Sequence, residues 1–503
     1  MSVGSGWPSM IDVVVVGAGP VGLWLAAELR LGGVTVVVCE QAARRSPHSR
    51  GLWMWPRTLE VLDMRGVAEA HVSEGRVVPA GAFALMSVRL DVSVLSSPFP
   101  FLVALPQART EELFAERALA LGAEVRLGHR VTGVRQDRAG VDVAVEGPDA
   151  SGVVRARFVV GCDGARSVVR EAAGIEFDGR STTRTAMLAD VELSEPPERG
   201  VLSVHRPRGS VLVVPLPGGL FRLVVKDTER LHVPRSTEVT LAEVRESTRR
   251  ILGTDLGARN PVWLARVGNA ARLARAYRCG RILLAGDAAH IHPPQGGQGL
   301  NLGVQDAMNL GWKLAAELNG TAPQWLLDSY ERERRPVGEQ VVQNSCAQEE
   351  LASAETPDQM AVKELLAGIL AEHAEANRSL AEKVSGLAIA YPAEEGSHPL
   401  SGHRAPDLEL DRSSGRTRLF ELLRDGHFAL LMRRHSATPN GINHAAVNRA
   451  AVLEDDLADW GEADTALVRP DGYFAWLGDS AQAATACAHW RDHLQATSQT
   501  SVA

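Results

Sequence analysis

Ile11-Asp12-Val13-Val14-Val15-Val16-Gly17-Ala18-Gly19-Pro20-Val21-Gly22 decides the architecture of this chain. Residues 11–16 form a nearly continuous β-branched run, the pattern of a strand buried on both faces of a parallel sheet. A glycine-rich turn follows. The pattern then predicts a helix over Val21 to Leu31, stopped at Gly32-Gly33, and a second buried strand over Val34 to Cys39. In such a βαβ unit the glycines divide the work. Gly17 permits the tight turn, Gly19 lets backbone approach a pyrophosphate, and Gly22 lets helix and strand pack closely. Pro20 and Val21 open the helix, whose N–H groups and dipole face the phosphates. Glu40 closes the second strand about 20 residues on, where a carboxylate accepts ribose hydroxyls. The alternative is a βαβ turn that binds no nucleotide, and an acid at Glu40 argues against it. The unit by itself does not separate NAD from FAD.

Composition fits an ordinary globular protein. Hydrophobic residues make up 45% of 503 and charged residues 23%, enough for two to four domains. The net charge of −8 carries no basic footprint for nucleic acid. Five scattered cysteines without a Cys-x-x-Cys pair support neither a disulfide framework nor a zinc site. The first apolar run is too short for a signal peptide, and no apolar stretch reaches a membrane span. A soluble, cytoplasmic protein is expected, with no membrane or nucleic-acid partner.

Beyond the βαβ unit, residues 51–80 read as helical and then turn-like, and residues 83–104 as short antiparallel strands. Thr110 to Leu121 reads as an amphipathic helix with Thr110 as its N-cap. Phe158-Val159-Val160 is another buried strand. Residues 184–266 carry strands separated by Pro/Gly turns, the pattern of an antiparallel sheet. A buried strand returns at 281–285, followed by a Gly-rich loop and a long helix from about Gly303 to Leu318. Residues 325–390 read as mostly helical, and the composition shift at 391–404 marks a linker.

Two further motifs narrow the ligand. Gly161-Cys162-Asp163-Gly164-Ala165-Arg166-Ser167 follows a buried strand. Arg281 to His290 contains Gly286-Asp287 and runs on through Pro293-Pro294-Gln295-Gly296-Gly297-Gln298-Gly299-Leu300-Asn301-Leu302-Gly303 to Asp306, Asn309, Gly311, Trp312 and Lys313. With the N-terminal fingerprint, these resemble the motifs of single-component, FAD-dependent aromatic hydroxylases (group A flavoprotein monooxygenases). The likeness is nearest to the polyketide hydroxylases and the related rifampicin monooxygenase.

The resemblance implies an α/β (α+β overall) fold in three parts. A Rossmann-like FAD-binding domain takes residues 1–80, 101–180 and 270–345. A substrate-binding sheet domain takes 81–100 and 181–269. After a helical connection at 346–395, a thioredoxin-like domain takes 396–503. It implies FAD contacts at Gly17, Gly19, Pro20, Val21, Gly22, Glu40, Gln41, Arg50, Gln107, Asp163, Gly286, Asp287, Pro294, Gly297, Gly299, Leu300 and Asn301. Asp287 bonds the ribityl chain in that family. Backbone N–H groups of Leu300 and Asn301, at a helix start, stabilise negative charge on the reduced ring. Arg166 reads equally as a nicotinamide-phosphate partner or a surface ion pair.

The chain departs from the family pattern at Leu52-Trp53-Met54-Trp55 and at Gln295. Trp53 and Trp55 read either as substrate-pocket walls or as core. Gln295 and Pro294 are the candidates for direct contact with reacting groups, Gln295 through substrate or the bound peroxide. His290 and His292 read as structural before catalytic. No catalytic triad or metal cluster is evident.

The implied activity is a monooxygenase using NADPH or NADH as co-substrate and O2. A flavin C4a-hydroperoxide delivers one oxygen to a bulky aromatic or polycyclic substrate. Non-redox cyclisation on the same fold, with FAD structural, is the alternative. The chain is expected to be a monomer or homodimer.

Overall fold

The computed structural model describes residues 7, 10–148, 150–198, 200–434, 442, 447–452 and 458–490. Parts of the expected C-terminal domain, including 491–503, lie outside the described residues, as do residues 1–6. Strand Ile11–Val16 is central to an eight-stranded sheet. It pairs in parallel with Val36–Glu40 on one side and with Ser151–Gly161 on the other. Glu124–Leu127 and Ile282–Leu284 extend the parallel set outward. Val13, Val14 and Val15 are 0% exposed, as two covered faces require. Helix Pro20–Leu31 packs between helices Gln107–Ala120 and Gly299–Leu318.

The helix expected from Thr110 starts instead at Gln107, after Pro106. Its first turn is held from a distance: Gln107 N donates to Gly51 O, and Ala108 N to Ser49 Oγ. Thr110 is thus inside the helix and 0% exposed. The long helix likewise starts at Gly299 rather than Gly303.

An antiparallel sheet follows the order Leu202–Arg206, Gly209–Pro215, Phe221–Asp227, Thr185–Leu193, Ala258–Gly268. One face buries Met187, Ala189, Val211, Val213, Leu223 and Val225 against Val244 and Ile251 of helix Leu241–Leu252. Alternation then puts three cross-strand rows on the other face. The first is His205–Ser210–Lys226. The second is Ser203–Leu212–Val224–Leu188–Ala265. The third is Val214–Arg222–Asp190–Trp263. A mostly apolar row is therefore flanked by two polar ones.

Residues 81–100, expected with this sheet, take another position. The hairpin Ala80–Ala82/Arg89–Asp91 pairs only with itself among the described strands. Phe83, Leu90 and Val92 pack with Trp55 and with Ala367, Ala381 and Val384 of helices Pro357–Glu372 and Ala374–Ser385. Residues 83–104 thus hold the short antiparallel strands expected, Arg89–Asp91 and Leu102–Ala104, and the hairpin caps these helices.

The C-terminal sheet orders its strands Gly415–Arg418, Glu409–Arg412, Val447–Val452, Phe428–Arg433, Thr465–Val468, Phe474–Gly478. Its one parallel pair, Phe428–Arg433 with Val447–Val452, lies inside antiparallel neighbours, a thioredoxin-like arrangement. No helix of the described residues is long and apolar enough to cross a membrane.

Candidate functional site

The three motifs converge on the carboxyl ends of the parallel strands, where open α/β sheets bind ligands. Gly17 sits at φ +103°, and a Cβ there would lie 2.5 Å from Cys162 O. The first motif is thereby locked to the second. Gly19 differs: a Cβ on it would meet no heavy atom within 4 Å, so nothing in the chain itself demands glycine there. Gly22 packs on Gly17 O. No side chain caps the helix that begins at Pro20. Val21 is wedged between Gly286 and Gly303, since a Cβ on either would come within 2.8 Å of Val21 Cγ2. That contact joins the first motif to the third.

Glu40 uses both carboxylate oxygens on backbone. Oε2 accepts from Ala18 N and Oε1 from Ala42 N, each at 2.9 Å. Gln41 is exposed beside it. Asp163 accepts from Val169 N through Oδ2, while Oδ1 is buried with no partner among the described residues. Burial pushes its carboxyl above the ordinary range, opposed by Ser167 and nearby backbone N–H groups. Asp287 keeps an exposed side chain, yet the surrounding protein desolvates it enough to raise its carboxyl too, against the pull of His290 and Arg50. Arg50 is exposed and within electrostatic reach of Asp287. Gln107 closes over Gly51 and donates to Glu111 at 2.7 Å. Arg166 is exposed.

Asp306 was visible in the sequence only as part of a motif run, and it holds the Gly286-Asp287 turn. Its Oδ2 accepts from Gly286 N at 3.2 Å and lies 2.5 Å from His290 Nε2, while its Oδ1 accepts from Arg334 Nε at 2.8 Å. Burial raises this carboxyl, but His290 and Arg334 outweigh it and hold it below the usual range. His290 is therefore structural. His292 accepts no such partner. Burial takes it down to about 4, so its ring is neutral, and its Nε2 is orphaned beside Gly299.

In the loop before the long helix, Gly296 and Gly297 have φ of 75° and 62°, and Pro294 is exposed. Asn301 spends its side chain internally, accepting from Trp55 N and donating to Trp53 O and Gly297 O, all at 2.9 Å. Leu300 beside it is half-buried. Trp53 is half-buried against Gly297 and joins Leu212 and Leu216 beside Leu52, Ala104 and Val214. Trp55 is 2% exposed, its Nε1 donates to Gly296 O at 2.8 Å, and its ring packs on Gly81. It supports the loop from behind instead of lining a pocket. Gln295 Nε2 donates to Glu349 Oε2 at 2.9 Å. Among the described residues no group of three or more His, Cys, Asp or Glu side chains gathers to hold a metal.

Residues 10–345 match the family described as FAD binding domain, and residues 398–496 match the aromatic-ring hydroxylase C-terminal family. The chain belongs to the FAD-binding aromatic-ring hydroxylases. An aromatic compound monooxygenase of Bacillus subtilis, itself uncharacterized, is 43% identical over 93% of this chain and 94% of its own length. Rifampicin monooxygenase of Streptomyces venezuelae is 40% identical over 94% of this chain and 97% of its own. The solved anhydrotetracycline hydroxylase of Streptomyces rimosus superposes with a TM-score of 0.86 at 39% identity, covering 96% of this chain and 99% of that one.

The residues present fit FAD. The open space over Gly19 admits a pyrophosphate, and the uncapped helix start at Pro20 supplies N–H groups to it. The orphaned Asp163 Oδ1 needs a donor such as a hydroxyl.

Proposed function

We propose that this chain is a FAD-dependent monooxygenase that uses NAD(P)H and O2 to hydroxylate an aromatic polyketide or a related polycyclic natural product. The observation that carries the reading is the convergence of the Gly17 turn, Asp163 and Asp287 on one cleft. The antiparallel sheet reaches that region through Arg222, which donates to Arg50 O. FAD supplies the redox chemistry when bound.

The chain's own groups bind, orient and exclude water. Asp287 and Asp163 would hold FAD by accepting from its hydroxyl groups. The N–H groups of Leu300 and Asn301, at the positive end of a 20-residue helix, offset negative charge on the ring. The sheet is tied to the cofactor loops at both polar rows. Arg222 pairs with Asp190 at 2.8 Å and donates to Arg50 O at 3.0 Å. Lys226 reaches Gln295 through Glu349. Between these ties Leu212, Val224 and Leu188 offer a flat apolar bed facing Trp53, suited to a fused-ring substrate. No protein base is required, because an ionised phenol or enol of the substrate is itself electron-rich.

Stopped-flow absorbance of the holoenzyme with NADPH and with NADH, with and without an aromatic polyketide, tests this. Bleaching of the oxidised flavin is expected, faster with substrate present. A flavin that neither nicotinamide reduces, with substrate bound, would sink the proposal.

A further inference from the structure

The polar row at one end of that apolar bed has an unbalanced positive charge. Lys226 is 9% exposed and pairs with Glu349 at 2.6 Å, with Ser353 Oγ at 3.0 Å. Glu349 is 1% exposed, and its second oxygen is taken by Gln295. Lys363 comes from helix Pro357–Glu372 and reaches the sheet's strand Leu202–Arg206. It is 5% exposed, and its recorded partner is not a carboxylate but His205 Nδ1, on the same row as Lys226. Glu350 is near but holds Arg180 and Arg184 at 3.4 and 3.1 Å. Among the described contacts the buried carboxylate of Glu349 serves Lys226, and Lys363 has no carboxylate partner.

A buried charge without a counter-ion is costly, so such groups either lose their proton or meet an anion. Lys363 shows the strain. Burial, aided by Lys226, brings its ammonium down to about 8. His205 is pushed to about 4 by burial and by both lysines, so it stays neutral and adds no charge. The ammonium of Lys363 and that of Lys226 flank His205, one row from Leu212 and Val224.

We infer that Lys363 and Lys226 form an anion-recognising end of the substrate site, selecting polycyclic aromatic substrates that carry an ionised oxygen, a carboxylate or a phenolate or enolate, at one edge. This rests on the proposed use of the apolar bed for substrate. A fused-ring ligand lying on Ser203–Leu212–Val224–Leu188–Ala265 directs one edge at the lysine pair. Glu349 then has two jobs: it holds Lys226 in place and, through Gln295, ties the anion end to the loop before the long helix. The anion fixes which ring edge lies at this end of the bed, which makes the lysines specificity determinants.

The test uses the holoenzyme with oxidised FAD and two probes, 3-hydroxy-2-naphthoate and its neutral amide, 3-hydroxy-2-naphthamide. Binding is read by flavin absorbance perturbation and by calorimetry. The naphthoate is expected to bind roughly tenfold or more tighter than the amide. Lys363→Gln and Lys363→Met should bring the two probes within about twofold of each other while the amide affinity holds, and Lys363→Arg should keep the preference. FAD content of each variant checks that it folds, and the two neutral replacements give independent readings. Equal affinity of the probes, no binding of the naphthoate up to its solubility, or a preference that survives both neutral variants would overturn the inference. A holoenzyme that prefers the naphthoate but is not reduced by nicotinamide contradicts the monooxygenase proposal instead.

Discussion

Gly17 and Gly19 are two residues apart and do different things, and substitution separates them. Gly17 is at φ +103° with Cys162 O 2.5 Å from a would-be Cβ. Gly17→Ala should therefore destabilise the fold itself, by about 1–3 kcal/mol from conformation alone. Gly19 has φ −72° and ψ −179°, an ordinary extended conformation with open space around it. Gly19→Ala should leave the apoprotein within about 0.5 kcal/mol of the parent and still lose FAD affinity. Thermal melts of the apoproteins alongside flavin content distinguish the two. Asp287→Ala should likewise purify with depleted FAD at near-parent stability, and full occupancy in that variant would contradict its assigned role. At this scale the conformational need for glycine at Gly17 was legible, because its reason is local backbone geometry. The side-chain duties of Asn301, Gln295 and Trp55 were not. Their partners are Trp53 O, Glu349 and Gly296 O, and for Asn301 and Trp55 they come from stretches some 240 residues apart.

Elements show the same divide. The parallel strands announce themselves by β-branched runs and the antiparallel strands by Pro/Gly turns. Helix starts failed where the cap is remote. Gln107 is held by Gly51 and Ser49, which no local pattern around Thr110 encodes. The hairpin near residues 80–91 read as part of the sheet because alternation reports a buried face and not what covers it. The turn bearing Asp287 depends on one side chain of the long helix. Asp306→Asn removes a fully buried carboxylate from His290, Arg334 and Gly286 N. Breaking a buried pair in this way should cost about 3–5 kcal/mol. Urea unfolding of Asp306→Asn should show that loss together with weaker FAD retention, and an unchanged midpoint would contradict it.

The whole molecule is bolted together by buried charge. Glu333 of helix Ser329–Ala352 accepts from Arg469 of the C-terminal domain at 2.8 Å, and from Lys313 and Asn309 of the long helix at 2.7 Å. Burial alone would raise Glu333, yet Arg469 and Lys313 outweigh it and bring it down to about 2 from an ordinary 4.5. A carboxyl depressed on folding stabilises fully above its unfolded value and loses that contribution as pH falls toward the folded one. Stability should therefore drop as pH falls from 4.5 to about 2. Glu333→Gln should melt lower at neutral pH and show a shallower loss across that window, as followed by Tm against pH. These contacts were not foreseen, since their members are scattered from Asn309 to Arg469.

Three distant motifs build a cofactor site suited to oxygen insertion. The most direct measurement of that insertion is turnover of an aromatic polyketide by the holoenzyme with NADPH under 18O2, read by product mass. A product carrying one atom of 18O for each NADPH consumed is the predicted result. A product of unchanged mass, as cyclisation gives, or one whose new oxygen comes from water, would contradict it.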